Sequence, residues 1–296
     1  MTFTVLPPPS SGGICLVEML NILENFDLQK HGRWSPETLH LMIEAMRRAY
    51  CDRARYLGDP AFTKIPGHLI TKDYARKLAK GIDRTKATPS ENLAKDIRLA
   101  EEGMQTTHFS IIDHAGMAVA NTYTLEHSYG SRVVVRGAGF LLNNEMLDFN
   151  RRPGQTDRAG NIGTPPNLIA PGKRMLSSQT PTIVAKDGKV FLVTGSPGGR
   201  TIINTVLCTI INVVDFHMKP RTAVDAPRLH HQWFPDRVQF EGMNQYKDAV
   251  QKLRQMGHRF DSPRRQGDAH VIWVDPKTGT YHGAADARIS GKAAGY

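Results

Sequence analysis

The hydrophobic pattern of this chain changes its period close to residue 106, and that change constrains the fold class. Before it, apolar residues recur at helical spacing over 14–23, and Ser35-Pro36-Glu37 supplies the cap, first-position proline and first-turn acid of a second helix. After it, apolar and polar residues alternate over 108–113 and 117–125, as in half-buried strands. Helices followed by antiparallel strands predict an α+β fold in which helices pack on sheets.

The rest of the sequence predicts a hairpin, a polar linker, and further strands and helices. The turn Lys186-Asp187-Gly188-Lys189 between apolar runs is a strong hairpin signal. The polar stretch 80–104 has little apolar periodicity, and we expect its last part to be an exposed linker. Further elements are predicted as strands at 182–185, 190–194, 269–274 and 280–284, and as helices at 202–216 and 248–256.

Composition excludes several classes of protein. The 296 residues are 40% apolar and 22% charged, which is ordinary for a globular protein. No apolar run approaches the roughly 20 residues of a bilayer-spanning helix, so no membrane span is predicted. The net charge of +10 is spread without a dense basic stripe, which favours a solvated surface, or a steering field for anions, over a nucleic-acid partner.

Cysteine and histidine spacing predicts neither a disulfide framework nor a metal site. Cys15, Cys51 and Cys208 are odd in number and stand in apolar or helical surroundings, so we expect buried thiols. His108 and His230-His231 lack the spacing of a ligand set, and we interpret them as structural histidines.

The chemistry is concentrated in short motifs at and after the change of period. A threonine with a free α-amine carries a nucleophile and a base in one residue, because that amine titrates near neutrality. Thr106 could act in this way only after a cut before it. The motifs are, in order, Thr106-Thr107-His108-Phe109-Ser110, Thr122-Tyr123-Thr124-Leu125, Leu141-Leu142-Asn143-Asn144-Glu145-Met146-Leu147-Asp148-Phe149, Leu176-Ser177-Ser178 and Thr194-Gly195-Ser196-Pro197-Gly198-Gly199.

Together these motifs resemble the γ-glutamyltransferase (γ-glutamyltranspeptidase) family of N-terminal-nucleophile hydrolases. Pro7-Pro8-Pro9-Ser10-Ser11-Gly12-Gly13 and Ala226-Pro227-Arg228-Leu229-His230-His231-Gln232-Trp233 are similar to family segments on either side, so the resemblance covers essentially the whole chain. It implies an αββα sandwich. Residues 1–105 would be the mostly helical C-terminal portion of a large subunit, ending in an exposed linker, and residues 106–296 the small catalytic subunit. The beginning of the family's large subunit has no counterpart here.

The resemblance also implies catalytic roles. Autocatalytic cleavage would separate Gln105 from Thr106, and Thr106 would then attack the substrate. Thr124 would hydrogen-bond and orient this nucleophile, although by residue type it is equally an ordinary sheet threonine. Backbone N–H groups of Gly198 and Gly199 would form the oxyanion hole, although a glycine pair there is also a turn into the next helix.

Substrate-binding residues follow from the same resemblance. Asp148 would pair with the substrate's α-ammonium, and Ser177 and Ser178 would donate to its α-carboxylate. Many family members have asparagine where this chain has Glu126 and glutamine where it has Glu145. These two carboxylates would favour an ammonium and disfavour a second carboxylate.

The resulting prediction is a γ-glutamyl hydrolase and transferase that acts on glutathione and other γ-glutamyl amides without a cofactor or a metal. Water, amino acids or dipeptides would accept the acyl group, and the two subunits would stay associated after cleavage. The family resemblance implies a periplasmic or extracellular location. Two alternatives stay open, namely a related amidase such as a glutaryl-cephalosporin acylase, and an inactive, unprocessed fragment.

Overall fold

The computed structural model describes residues 1–94 and 107–295. The predicted cleavage site, Gln105 and Thr106, and most of the predicted linker therefore lie outside the described residues. The helices are α1 (Gly12–Leu23), α2 (Leu28–His31), α3 (Pro36–Tyr56), α4 (Lys72–Lys80), α5 (Thr201–Val214), α6 (Pro220–Asp225) and α7 (Lys247–Gln255).

The strands form one large antiparallel sheet and two small ribbons. They are β1 (Thr2–Val5), β2 (Thr107–Ile112), β3 (Ala118–Tyr123), β4 (Thr182–Lys186), β5 (Lys189–Gly195), β6 (Leu229–His230), β7 (Gln239–Phe240), β8 (His270–Val274) and β9 (Tyr281–Ala285). The large sheet has the order β1-β4-β5-β8-β9, while β2 pairs with β3 and β6 with β7.

Helix α3 shows how local sequence places the helical layer. Ser35 Oγ accepts the Thr38 N–H at 3.1 Å, and Pro36 fills a first position at which no backbone donor is needed. Almost the whole helix is buried, because α1 and α7 pack against it. Helix α1 also contacts α5, and α5 contacts β5, so the helices lie against the large sheet.

The hairpin β2–β3 forms a further layer against the large sheet. Both of its strands contact β5, and residues 191–195 of β5 are buried on each side of the pleat. Since α5 also covers β5, the order is helices, large sheet and hairpin. This confirms the predicted α+β fold of helices packed on antiparallel sheets.

A histidine fixes the distance between the hairpin and the sheet. The buried ring of His108 is hydrogen-bonded through Nδ1 to Thr122 Oγ1 at 2.8 Å and through Nε2 to Ser110 Oγ at 3.0 Å. A Cβ atom added at Gly195 would lie 2.1 Å from Cε1 of this ring. A residue without a side chain is therefore required at the end of β5 for the two layers to meet.

We predict that Gly195→Ala destabilises the fold by roughly 1–3 kcal/mol, because the added methyl group must displace the His108 ring and the hairpin. Urea denaturation would measure the free energy of unfolding. Gly67→Ala is the matched control, since no atom lies within 4 Å of the added Cβ there. Equal stability of the two variants would contradict this account of the packing.

The large sheet joins the two parts of the chain that the sequence separates at residue 106. Strand β1 pairs with β4, with Thr2 opposite Ala185 and Val5 opposite Thr182. Beyond the strand, the Ser11 N–H donates to the Ser177 carbonyl at 2.9 Å. Residues on both sides of the predicted cut therefore belong to one folded unit.

Most predicted elements occur within a few residues of their expected ends. The hairpins, the two early helices, α5, α7, β8 and β9 are confirmed. The sequence analysis did not predict α2, α4, α6, β1, β6 or β7. The three cysteines are buried thiols, as expected. Among the described residues, no helix has the length and apolar character needed to cross a bilayer.

Three buried histidines, His40, His231 and His258, lie near the ion pair that Arg47 forms with Glu44 on helix α3. His40 Nδ1 lies 2.8 Å from His258 Nε2, and burial, helped by Arg47, lowers the pKa of His258 to about 3. Burial likewise lowers the pKa of His231, to about 4. Glu44 completes a triad of possible metal ligands with His40 and His258, but it is already paired with two guanidinium groups, so the cluster does not suit a cation.

These histidines predict loss of stability in acid. Their pKa values are lower in the folded state, so the unfolded chain binds more protons below pH ~6.5, and stability falls from there toward pH 4 by up to ~1.4 kcal/mol per pH unit for each histidine. We expect His258→Gln to flatten this slope in urea denaturation between pH 6 and 4. The exposed His114→Gln should leave it unchanged.

Candidate functional site

One cleft collects most of the residues that the sequence analysis singled out. It opens where the end of β3, the segment after it, the loop before β4 and the turn after β5 come together. The predicted site residues that line it are Thr124, Glu126, Asp148, Ser177, Ser178 and Gly199. Residues far apart in the chain therefore meet in one place, which strand alternation alone could not predict.

Three carboxylates form a tight cluster beside the cleft. Oxygen atoms of Glu126, Glu145 and Asp148 lie within 4.8 Å of one another. Both glutamates are buried, and Glu145 Oε1 accepts no hydrogen bond within the described part of the chain. Like charges held this close in a poorly solvated place repel each other unless they take up protons or a cation.

Burial is the main cause of the raised pKa values in this cluster, and repulsion between neighbouring carboxylates adds to it for Glu126 and Asp148. Burial, together with Glu145, raises the pKa of Glu126 to about 7. Burial, together with the other two carboxylates, raises the pKa of Asp148 to about 7, against the opposing charge of Arg53. Burial also raises the pKa of Glu145. An entering cation would restore the ionised forms, whether it were an organic ammonium or a metal ion.

Thr124 connects this cluster to the hairpin. Strand β3 ends at Tyr123, and Glu126 has a left-handed φ of 70°, so the strand alternation stops here. The Thr124 Oγ1 accepts the Glu126 N–H at 2.7 Å and also interacts with the Glu145 carboxyl group. Thr122, two residues earlier on β3, is buried and is hydrogen-bonded to His108.

The turn after β5 presents two glycines in left-handed backbone conformations. Gly198 has φ 131° and Gly199 has φ 55°, values that an L side chain rarely adopts. Their carbonyls accept the N–H groups of Thr201 and Ile202 at the start of α5, whereas among the described residues neither glycine N–H donates a hydrogen bond. Gly199 lines the cleft, and Gly198 precedes it.

The two serines stand on a loop that is held from the N-terminal part. Ser11 Oγ donates to the Ser177 carbonyl at 2.7 Å. The Ser177 Oγ accepts the Gln179 N–H at 3.0 Å, and the Ser178 Oγ accepts a hydrogen bond from Arg53 Nη2 at 3.2 Å. Both hydroxyl groups thus keep their own proton for a ligand in the cleft.

Two arginines that the sequence analysis did not predict also line the cleft. Arg53 lies near the end of α3, and Arg200 follows Gly199 directly. Burial lowers the pKa of Arg200 to about 9. Helical periodicity could have predicted that Arg53 is buried. It follows Ala49 by one turn and Met46 by two turns on α3, and both of these residues are buried.

We predict that Glu126→Gln lowers the pKa of Asp148 by about 1, because it removes a neighbouring negative charge. Carboxyl ¹³C NMR titration of labelled aspartate would measure this, with Asp148→Asn identifying the resonance. Glu37→Gln, at an exposed position of α3, serves as the control. An unchanged Asp148 titration in Glu126→Gln would argue against the coupled cluster.

Comparisons with known proteins agree on one family. The family model for gamma-glutamyltranspeptidase matches residues 1–296. The glutathione hydrolase proenzyme of Escherichia coli (strain K12) is 45% identical over 294 residues, which are 98% of this chain and 50% of that protein. The chain thus spans about half the length of this relative.

Solved structures give the same result for the fold. A gamma-glutamyltranspeptidase inhibited by acivicin, with a C-terminus critical for autoprocessing and catalysis, is 47% identical with a TM-score of 0.58. That match covers 62% of this chain and 98% of the other. The cephalosporin acylase from Bacillus halodurans is 26% identical with a TM-score of 0.81, covering 99% of this chain and 51% of the other. The sandwich expected from the resemblance is thereby confirmed.

Proposed function

Because this chain belongs to the gamma-glutamyltranspeptidase family, we propose that it acts on γ-glutamyl amides such as glutathione. In this proposal, autocatalytic cleavage between Gln105 and Thr106 creates the N-terminal nucleophile. The acyl group then passes through a γ-glutamyl-Thr106 ester to water, or to an amino acid or dipeptide. No cofactor takes part.

The charge pattern of the cleft is the observation that carries this proposal. A γ-glutamyl group ends in a carbon that bears both an ammonium and a carboxylate. The cleft offers the Glu126–Glu145–Asp148 cluster for the cation, and hydroxyl groups and guanidinium groups for the anion. A ligand with a single charge would leave one of these two sets uncompensated.

The strand register supports the proposed nucleophile. Thr107, the next residue after Thr106, pairs with Tyr123, the residue before Thr124. An N-terminal threonine at the start of β2 would therefore be close to the cleft that Thr124 lines. Its α-amine would take the hydroxyl proton as the oxygen attacks the γ-carbonyl carbon.

Water and the acyl acceptor are the external reactants that these steps need besides the substrate. In the precursor, the Thr106 hydroxyl attacks the Gln105 carbonyl, the acyl group moves from nitrogen to oxygen, and water hydrolyses the ester. In the mature enzyme the same oxygen displaces the substrate's amine, and the acceptor then releases the γ-glutamyl group. The N–H groups of Gly198 and Gly199 would stabilise each tetrahedral oxyanion, and one such donor is typically worth roughly 3 kcal/mol.

The two pieces would remain one particle after cleavage. Residues 1–105 would form the C-terminal portion of a large subunit and residues 106–296 the small subunit. The pairing of β1 with β4 supports their association, since it crosses the proposed cut. A periplasmic or extracellular location remains a prediction from the family resemblance.

A glutaryl amidase is the second candidate, because the fold is similar to a cephalosporin acylase over nearly the whole chain. A glutaryl group lacks the α-ammonium, however, and would leave the three carboxylates without a cation. Parallel assays with γ-glutamyl and glutaryl anilides separate the two functions. A preference for the glutaryl substrate would overturn the γ-glutamyl proposal in favour of the acylase.

We predict that the purified chain, incubated at neutral pH, yields two pieces in intact-mass spectrometry, residues 1–105 and 106–296. Thr106→Ala should remain a single mass, because it has no hydroxyl group for the acyl shift. Thr107→Ala, which keeps the proposed nucleophile, should still be cleaved. An uncut parent chain without γ-glutamyl hydrolysis would favour the third alternative, an inactive, unprocessed fragment.

A further inference from the structure

We propose that Ser196 and Thr201 are positioning residues, whose hydroxyl groups fix the two peptide planes that carry the N–H groups of Gly198 and Gly199. This inference rests on the proposed function, in which those two N–H groups stabilise the oxyanion. It adds two side chains that act through the backbone rather than on the substrate. Their role follows from the planarity of the peptide bond, since each plane has a carbonyl group at one end and an N–H group at the other.

The turn after β5 needs such a constraint because of its glycines. Glycine adopts left-handed and right-handed backbone conformations about equally well, so a peptide plane next to a glycine rotates at little steric cost. Gly198 and Gly199 have φ values of 131° and 55°, and rotation of a neighbouring plane would change them. A donor that rotated away from the oxyanion would no longer stabilise it, so the turn requires contacts that select one orientation.

Ser196 fixes the plane between Pro197 and Gly198. This serine is fully buried, and its Oγ accepts the Asp268 N–H at 2.9 Å and donates to the Pro197 carbonyl at 2.6 Å. Because a backbone donor occupies one side of the oxygen, the hydroxyl proton is directed to the carbonyl. The Pro197-Gly198 bond is trans, so the Gly198 N–H points away from the side on which Ser196 holds the carbonyl.

A third glycine lies against the same carbonyl group. Gly267 has a φ of 62°, and a Cβ atom added there would lie 2.5 Å from Ser196 Oγ and 3.0 Å from the Pro197 carbonyl oxygen. A Cβ atom added at Gly198 would in turn lie 3.1 Å from the Gly267 Cα atom. The loop before β8 therefore packs directly on the turn, and the Pro197 carbonyl faces this close contact.

Thr201 fixes the next plane, between Gly198 and Gly199. The Gly198 carbonyl accepts two hydrogen bonds from this threonine, one from Oγ1 at 2.8 Å and one from the backbone N–H at 3.1 Å. Thr201 is buried at the start of α5, and the helix holds both donors in place. The Gly199 N–H is at the other end of this plane and consequently points away from the Thr201 hydroxyl group.

The two planes thus have fixed carbonyl ends and N–H ends that are left for a ligand. Within the described part of the chain, neither the Gly198 nor the Gly199 N–H donates a hydrogen bond. Donors whose orientation is already fixed stabilise a developing oxyanion well, because they do not have to reorganise when the charge appears. Two hydroxyl groups would therefore contribute to the reaction through the orientation of these donors.

Removing each hydroxyl group tests this assignment. Ser196→Ala should lower kcat for a γ-glutamyl anilide by at least about tenfold. Thr201→Val should lower it by at least about threefold, because the backbone N–H of residue 201 still holds the carbonyl. Thr201→Ser keeps the hydroxyl group and should retain most of kcat. Thr209→Val is the matched control, since this buried hydroxyl group of α5 donates to the Thr205 carbonyl within the helix.

Rates should be expressed per cleaved chain, counted by intact-mass spectrometry, because slow maturation would otherwise resemble a low kcat. Two inhibitors then separate the oxyanion donors from the rest of the cleft. L-Norvaline has a methyl group in place of the γ-carboxyl group of glutamate, so it does not reach these donors. Its inhibition constant should stay within about twofold in both variants, as should KM.

The second inhibitor is the analogue of L-glutamate in which a boronic acid replaces the γ-carboxyl group. Thr106 Oγ bonds to the boron, its proton passes to the α-amine, and the boron becomes a tetrahedral anion that resembles the oxyanion intermediate. The inhibition constant of this analogue should rise in parallel with the loss of kcat, because both depend on the same two N–H donors.

Unchanged kcat in Ser196→Ala and Thr201→Val would overturn the inference. Equal weakening of norvaline and the boronic acid would also overturn it, because the hydroxyl groups would then support the whole cleft. If Ser196→Ala fails to fold, the comparison of Thr201→Val with Thr201→Ser decides. A parent chain that neither cleaves itself nor hydrolyses γ-glutamyl anilides contradicts the proposed function and this inference with it, whereas an active parent with unaffected variants contradicts this inference alone.

Discussion

The contact between the segment Ser10–Gly13 and the loop Ser177–Thr180 is the constraint on which sheet and cleft both depend. Ser10 and Ser11 donate to carbonyl groups of that loop, and a Cβ atom at Gly12 would lie 2.2 Å from the Gln179 carbonyl oxygen. The segment follows β1, which completes the large sheet, and the loop precedes β4, which pairs with β1. The same few residues therefore set the register of an edge strand and the positions of the cleft serines.

The cleft balances opposite charges that the fold buries side by side. Three carboxylates would repel one another and remain partly protonated without a cation, while the charge of Arg53 favours the ionised form of Asp148. Bringing such groups out of water is costly, and neither set is fully compensated within the described residues. A ligand that carries both signs would compensate both sets of charges, and the proposed function depends on this property of the cleft.

The sequence predicted those parts of the fold that local pattern controls. The hairpins and long helices follow from alternation, capping and turn residues, and these are properties of short segments. Strand β1 was missed because its four residues become a strand by pairing with β4, about 180 residues away. The short helices α4 and α6 were missed because their stability comes from packing rather than from a long periodic pattern.

The cleft residues divide in the same way. Thr124, Asp148, Ser177, Ser178 and Gly199 were predicted because they stand in motifs that resemble a family, and the fold brings them to one cleft. Arg53 belongs to no such motif. It lies on α3 in register with buried apolar residues. Only the packing of that helix against the serine loop places it at the cleft. Alternation likewise could not place Thr124, because the strand ends one residue before it.

The sharing of one sheet between the two sides of residue 106 has a consequence for how the molecule is assembled. An intact chain forms the β1–β4 pairing within a single molecule, so its rate does not depend on concentration. If the chain is cut after folding, the same pairing would have to be found again by two separate molecules after any complete unfolding. Cleavage would then make folding irreversible in practice. The precursor folds in a unimolecular reaction, whereas the two cleaved pieces would refold in a bimolecular reaction that is slow at low concentration.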